Sequence, residues 1–227
     1  MSRTLLRTAR TTIFTKSTPF SSPITRKMAT YGNPCETASV QDKAAPAGDF
    51  SQYNIKNSTI NTAAGVKLAE RQSILVGSVL DLFEGNPTLK HLSLWHRDAT
   101  FVDPITIAKG YDKFAAQWYG LPAVFNPIKI QSHKVTSSGN PIEMEVSNTY
   151  TVKGIKKEQT IDSIINIFVG SDGKIEKVED KWNGKLPDGA VSSAFRKLNA
   201  VTVPTLIKVP KTEEEDMKMK ADREKTS

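Results

Sequence analysis

Two carboxylates stand five positions apart in Asp98-Ala-Thr-Phe-Val-Asp-Pro104, and the second is held against a proline. Proline fixes its own φ and carries no N–H, so it stiffens the chain beside Asp103 and removes one competing donor. An acid so placed either closes a turn by accepting backbone N–H groups or is held rigid in order to work. Asp98 opens the segment and reads as a turn or cap residue. Other reactive groups are sparse. Cys35 is the single cysteine, which excludes an internal disulfide and any multi-cysteine metal site. His91, His96 and His133 show no metal-ligand spacing. His96, next to Arg97-Asp98, reads as a capping or surface residue. There is no glycine-rich phosphate loop, nucleophile elbow or RNA-binding aromatic motif. No cofactor and no metal are therefore expected, and any chemistry falls to carboxyl acid–base groups.

These acids need elements to position them. Leu68, Leu75, Val76, Val79, Leu80 and Phe83 form one apolar stripe at helical spacing, stopped by Gly85-Asn86-Pro87. Asn86 is suited to cap a short second helix carrying Leu89, Leu92 and Trp95. The 98–104 strand follows, then a helix near 109–119 with Tyr111, Phe114, Ala115 and Trp118 on one face, ending at Gly120. From 127 to 182 the period changes from 3.6 to 2. Ile142, Met144, Val146, Asn148, Tyr150 and Val152 alternate with Glu143, Glu145, Ser147, Thr149 and Thr151. Turns at Lys153-Gly154 and Ser171-Asp172-Gly173 separate this strand from 161–169 and 175–182. Helices followed by a meander imply an α+β fold, three N-terminal helices packed in a strongly curved antiparallel sheet.

The chain has 227 residues and 25.0 kDa, enough for one domain with extensions. No apolar run approaches the roughly 18–20 residues of a membrane span. Its net charge of +7 is concentrated at one end. Residues 1–35 hold Arg3, Arg7, Arg10, Lys16, Arg26 and Lys27 and no acid, leaving 25 basic against 24 acidic residues beyond. The body thus has no global pull on phosphate, and no nucleic-acid partner is expected. The acid-free leader, rich in Arg, Ser and Thr, has the marks of a mitochondrial transit peptide, with the matrix as destination. Met28 offers a second start that would yield a cytosolic form. The expected layout is a transit peptide over 1–35, a linker over 36–62, a domain over 63–186 and an extension over 187–227. The charged end of that extension is expected to be disordered or a loose helix.

The order helix, helix, DATFVDP, helix and a meander ending in SDGKIEKVEDKW resembles the nuclear transport factor two superfamily. Within it, residues 66–183 look most like SnoaL-like polyketide cyclases and ketosteroid isomerases. The resemblance implies a cone-shaped α+β barrel enclosing a mainly apolar pocket for a small hydrophobic ligand. In the isomerases the aspartate before the matching proline is the general base, which implies that role for Asp103; such a base works in an apolar cavity from which water is excluded. Their oxyanion tyrosine falls here at Ser78, and no tyrosine occurs between Tyr53 and Tyr111. Their protonated aspartic acid is matched by Asp162, two residues early if Phe168 anchors that strand. Scytalone-dehydratase-like members use a histidine pair with tyrosines, which would involve His96 and His133.

The resemblance also implies a cavity face made of Val146, Asn148 and Tyr150, with Asp180 and Trp182 on the last strand, and a pocket aromatic at Trp118. Phe168 is counted with these ligand-binding residues. Asn148 and Tyr150 interrupt an apolar row, as the few polar groups of a binding pocket do; hydrogen-bonded core residues are the alternative. Asp180 turned inward would be costly unless paired or protonated. The expected function is binding of a small apolar molecule, with isomerase-, cyclase- or dehydratase-type proton transfer through Asp103. The other class is a non-catalytic interaction or scaffold domain. Ile165, Ile167 and Val169 are assigned to the outer face of the sheet, where a β-branched row would favour a homodimer.

Overall fold

In the computed structural model the described residues are 49–184, 189–201 and 207–225. The leader and residues 36–48 of the linker lie outside them. The elements are α1 (Glu70–Phe83), α2 (Leu89–Ser93), β1 (Trp95–Asp103), β2 (Thr106–Lys109), α3 (Tyr111–Val124), β3 (Phe125–Ser137), β4 (Ile142–Val152), β5 (Glu158–Val169), β6 (Ile175–Trp182), α4 (Gly189–Val201) and α5 (Glu213–Lys225).

The strands form one curved, unclosed sheet in the order β2-β1-β6-β5-β4-β3. The pairing is antiparallel throughout except where β1 lies parallel to β6, so the expected all-antiparallel sheet is a mixed one. Register shifts along β3–β4 and between β1 and β6 supply local bends, since an extra residue on one strand kinks the ladder. The hollow of the sheet holds α1 and α3, and the expected α+β architecture is the one found.

Helix α1 is apolar nearly all round, and it is correspondingly buried nearly all round. One side meets the sheet. The other is covered by residues 50–57, which sequence alone assigned to a linker. Gly77 makes this possible. A Cβ there would lie 2.5 Å from the Asn57 carbonyl oxygen and 2.9 Å from Ile55 Cγ2. Asp81 of α1 fastens the arm by accepting N–H from Lys56 at 2.8 Å and from Asn57 at 3.0 Å. The buried His91 ring stands 3.2 Å from the same carboxylate.

Helix boundaries differ from those expected, and Trp95, assigned to the second helix, opens β1. Helix α2 is capped by Thr88, whose Oγ1 accepts the His91 N–H at 3.1 Å, not by Asn86. Helix α3 continues through Gly120 and Pro122 to Val124. Gly120 is a contact point rather than a stop, because a Cβ there would lie 2.7 Å from Leu198 Cδ1.

The C-terminal extension is part of the body. Helix α4 presents Val191, Ala194, Phe195 and Leu198, spaced for one helical face, to the core. The charged tail, expected to be loose, forms α5 and docks through a buried aspartate. Asp216 accepts the Leu89 N–H at the start of α2 and the Tyr119 hydroxyl, each at 2.8 Å. Arg223 donates to the Pro87 carbonyl at 2.9 Å and lies over the Tyr119 ring.

Candidate functional site

Asp103 ends β1, and Pro104 leads into a tight return to β2 in which Asp103 faces Thr106. Because proline has no N–H, the first donor beyond it is Ile105, which gives its N–H to Asp103 Oδ1 at 2.8 Å. The acid therefore does close a turn. Yet only 9% of Asp103 is exposed, and burial pushes its pKa up to about 6 against the opposing hydrogen bonds from Ile105 and Thr106. Both readings of the Asp-Pro pair hold at once, and desolvation wins.

Asp180 on β6 shares the cavity. It is buried, its Oδ2 accepts the Trp182 indole N–H at 2.6 Å, and its Oδ1 has no hydrogen-bond partner among the described residues. Burial, with the charge of Asp103 adding to it, pushes Asp180 up to about 7. Tyr150 on β4 is buried as well; desolvation, then the charges of Asp180 and Asp103, hold its phenol well above its ordinary pKa. It stays a neutral donor at any physiological pH. It is the phenol of the cavity; Ser78 of α1 donates to its own helix at Leu75 O and is not among the cavity walls.

The remaining walls are Phe83, Phe101, Gln117, Trp118, Leu121, Trp182 and Phe195, and the space they leave is about 20 Å³. A cavity of that size holds about one water. Trp118 sits in an aromatic cluster, 4.6 Å from Phe101 and 5.2 Å from Phe83 between ring centroids. Phe195 of α4 is one of these walls, packed 5.3 Å from Tyr150, 5.4 Å from Trp182 and 4.6 Å from Phe125 between ring centroids.

Of the residues singled out from sequence, Asp103, Trp118, Tyr150, Asp180 and Trp182 come together here. Val146 is buried on the same face but is not among the cavity walls. Asn148 is a buried core amide whose Nδ2 donates to Phe83 O at 2.9 Å, tying α1 to the sheet, while its Oδ1 has no hydrogen-bond partner among the described residues. Two assignments are corrected. Asp162 is exposed on the outer face, opposite Ser147, and Phe168 is half-buried on that face with Lys177 over its ring. Neither reaches the cavity. The same parity places Ile165 opposite Asp180 and Ile167 opposite Val178, both fully buried inside. The apolar outer row proposed for a dimer is therefore core. His96 and Asp98 are exposed neighbours, and His133 accepts the Asn61 N–H at 3.1 Å. No cluster of three His, Cys, Asp or Glu side chains is arranged for a metal among the described residues.

Phe195, Gln117, Phe101 and Leu121 were not singled out from sequence, and Phe83 only as part of the apolar stripe of α1. Phe101 lies inside the DATFVDP motif at the parity of Asp103, a signal that was available. Phe195 lies beyond the segment the resemblance covers and had none.

No family model matches the chain, and no curated protein matches it. Solved structures do. One is an NTF2-like protein of unknown function from Exiguobacterium sp. 255-15, at 18% identity and a TM-score of 0.41 over 49% of this chain and 99% of that one. Another is a hypothetical protein with a ketosteroid isomerase-like fold from Catenulispora acidiphila DSM 44928, solved with trimethylamine, at 14% identity and a TM-score of 0.40 over 47% of this chain and 82% of that one. A third is a protein with a cystatin-like fold from Silicibacter pomeroyi DSS-3, at 15% identity and a TM-score of 0.42 over 56% of this chain and 82% of that one. At such identities and TM-scores these likenesses assign no residue a role. The strand order, the helices in the hollow of the sheet and the cavity between them make this an α+β cone.

Proposed function

We propose that the cone binds a small, mainly apolar molecule and moves a proton on it, with Asp103 as base and Asp180 as acid. One observation carries this reading: two carboxyl groups, both buried among aromatic walls, have pKa values raised to about 6 and about 7. Near neutral pH Asp103 is then mostly ionised and able to take a proton, while about half of Asp180 is protonated and able to give one. A pair of acids pushed apart in this way suits proton transfer at a carbon beside an oxygen. Tyr150 adds a neutral hydroxyl for developing negative charge on that oxygen, the task for which α1 supplies no tyrosine.

The rival reading, a non-catalytic interaction domain with a filled interior, is favoured by the roughly 20 Å³ left in the cavity. Mass spectrometry of small molecules retained by the purified full chain separates the two, together with the carboxyl titrations of Asp103 and Asp180 in the presence of apolar alcohols and ketones. Binding in the cone should displace both midpoints by half a pH unit or more. If nothing is retained and no compound moves either midpoint, the binding function is lost.

On composition alone we also propose that the leader addresses the chain to mitochondria, with initiation at Met28 giving a cytosolic form.

A further inference from the structure

One wall of the cavity that carries the acids comes from the protein's own C-terminal extension. Phe195 is 4% exposed and stands among Tyr150, Trp182 and Phe125, where the apolar body of a bound molecule would rest. The site is built to receive it. Gly120 leaves α3 without a side chain at the point where Leu198 of α4 lies against it, although glycine within a helix is less favourable than alanine. A latch completes the docking: Thr106 Oγ1 donates to Asn199 Oδ1 at 2.8 Å, and Asn199 Nδ2 donates to Ile105 O at 2.9 Å. Ile105 is the residue whose N–H holds Asp103, so the latch closes on the turn that positions the base.

The closed state is imperfectly satisfied. Asp180 Oδ1, Gln117 Oε1 and Trp118 Nε1 belong to residues that line the cavity, and all three are buried without a hydrogen-bond partner among the described residues. Unpaired groups that include an acceptor, Gln117 Oε1, and a donor, Trp118 Nε1, disfavour this arrangement and favour an occupant that can both give and accept a hydrogen bond.

We infer that α4 is a displaceable plug. Phe195 and a ligand compete for the same space, and the favoured ligand is an apolar molecule bearing one hydroxyl group. The inference rests on the proposed binding function. Apparent affinity is then the intrinsic affinity reduced by the fraction of molecules whose plug has withdrawn.

The full chain and its Asn199→Ala variant are titrated with 2-naphthol and with naphthalene, and hydrogen exchange of α4 is followed at saturation. Asn199 does not line the cavity. A purely structural asparagine would therefore leave affinity unchanged, whereas loss of the latch should tighten 2-naphthol binding about tenfold. Exchange of α4 amides in the unsubstituted chain should quicken at least tenfold when 2-naphthol is bound, and naphthalene should bind several-fold more weakly. Binding with equal affinity in both proteins and unchanged α4 exchange would overturn the plug while leaving the pocket standing. Binding to neither protein, each shown folded by circular dichroism, would overturn the pocket and the plug together.

Discussion

Replacing Asp180 by asparagine should stabilise the protein at alkaline pH and do little at acid pH. Asp180 has a folded-state pKa near 7 against an ordinary 3.8, a rise of about three units. At about 1.4 kcal/mol per unit, the ionised carboxyl weakens the fold by at most ~4 kcal/mol at pH 8. The sign follows from proton uptake. Between pH 4 and pH 7 the folded chain binds more protons than the unfolded one, so stability falls as pH rises through that window and levels off above it. Asparagine keeps an acceptor for the Trp182 N–H. Its new NH₂ must occupy the space of the unpartnered Oδ1, which takes back about 1–3 kcal/mol. The net expectation at pH 8 is a gain of ~2 kcal/mol, or roughly 4–8 °C in melting temperature. At pH 4.5 the ionisation penalty is only about 1 kcal/mol, so the gain should vanish or turn into a loss of ~1 kcal/mol. Urea denaturation of both proteins at the two pH values provides the test, and the difference between proteins cancels groups they share. Asp81 acts in the opposite direction: desolvation raises its pKa, but hydrogen bonds from His91 and Lys56 outweigh it and leave the value lowered, so its contribution disappears only in more acid solution. A variant destabilised equally at both pH values would show that Asp180 is ionised and well solvated, contrary to this reasoning.

Asp216→Ala removes the acceptor for both the Leu89 N–H and the Tyr119 hydroxyl, and should reduce stability by about 2–3 kcal/mol and expose α5 to hydrogen exchange; unchanged exchange would mean that the tail is not anchored there. Gly77→Ala should lower stability by about 1–3 kcal/mol despite alanine's better helix propensity, because its Cβ collides with the 50–57 arm. Earlier proteolysis within that arm is the accompanying sign, and a more stable variant would disprove the close docking. A full-length fluorescent fusion should enter mitochondria and be shortened near the end of the leader, whereas one begun at Met28 should stay in the cytosol; an uncut, cytosolic full-length product would remove the targeting proposal.

Local pattern carried much of the fold. The alternation from Ile142 to Val152 placed β4 and its inward face correctly, and with it Tyr150. The Asp-Pro step marked Asp103 because it combines a rigid backbone with an acid at a strand end. The β5 strand could not be oriented this way. Its run Ile161-Asp-Ser-Ile-Ile-Asn-Ile-Phe-Val has apolar residues at both parities, so its face is decided by pairing with β6, where Ile165 meets Asp180. Had that pairing been applied to the inward Asp180, it would have turned Ile165 and Ile167 into the core and Asp162 and Phe168 out of it. Other features depend on contacts between distant parts of the chain. Phe195 meets Tyr150, Asp216 meets Leu89, and Asp81 meets Lys56, and no periodicity within one segment encodes such meetings. The extension also looked expendable because α5 is strongly charged, yet one buried aspartate and one arginine suffice to seat it.

The most direct test of the acid pair is a carbon-13 NMR titration of the aspartate side-chain carboxyls in the full chain. Two resonances, assigned through Asp103→Asn and Asp180→Asn, should titrate with midpoints near 6 and 7, and removing Asp103 should lower the midpoint of Asp180. If both carboxyls titrate below pH 5, neither is desolvated in an apolar cavity, and the proposed base and acid are surface-like carboxylates with no proton to exchange at neutral pH.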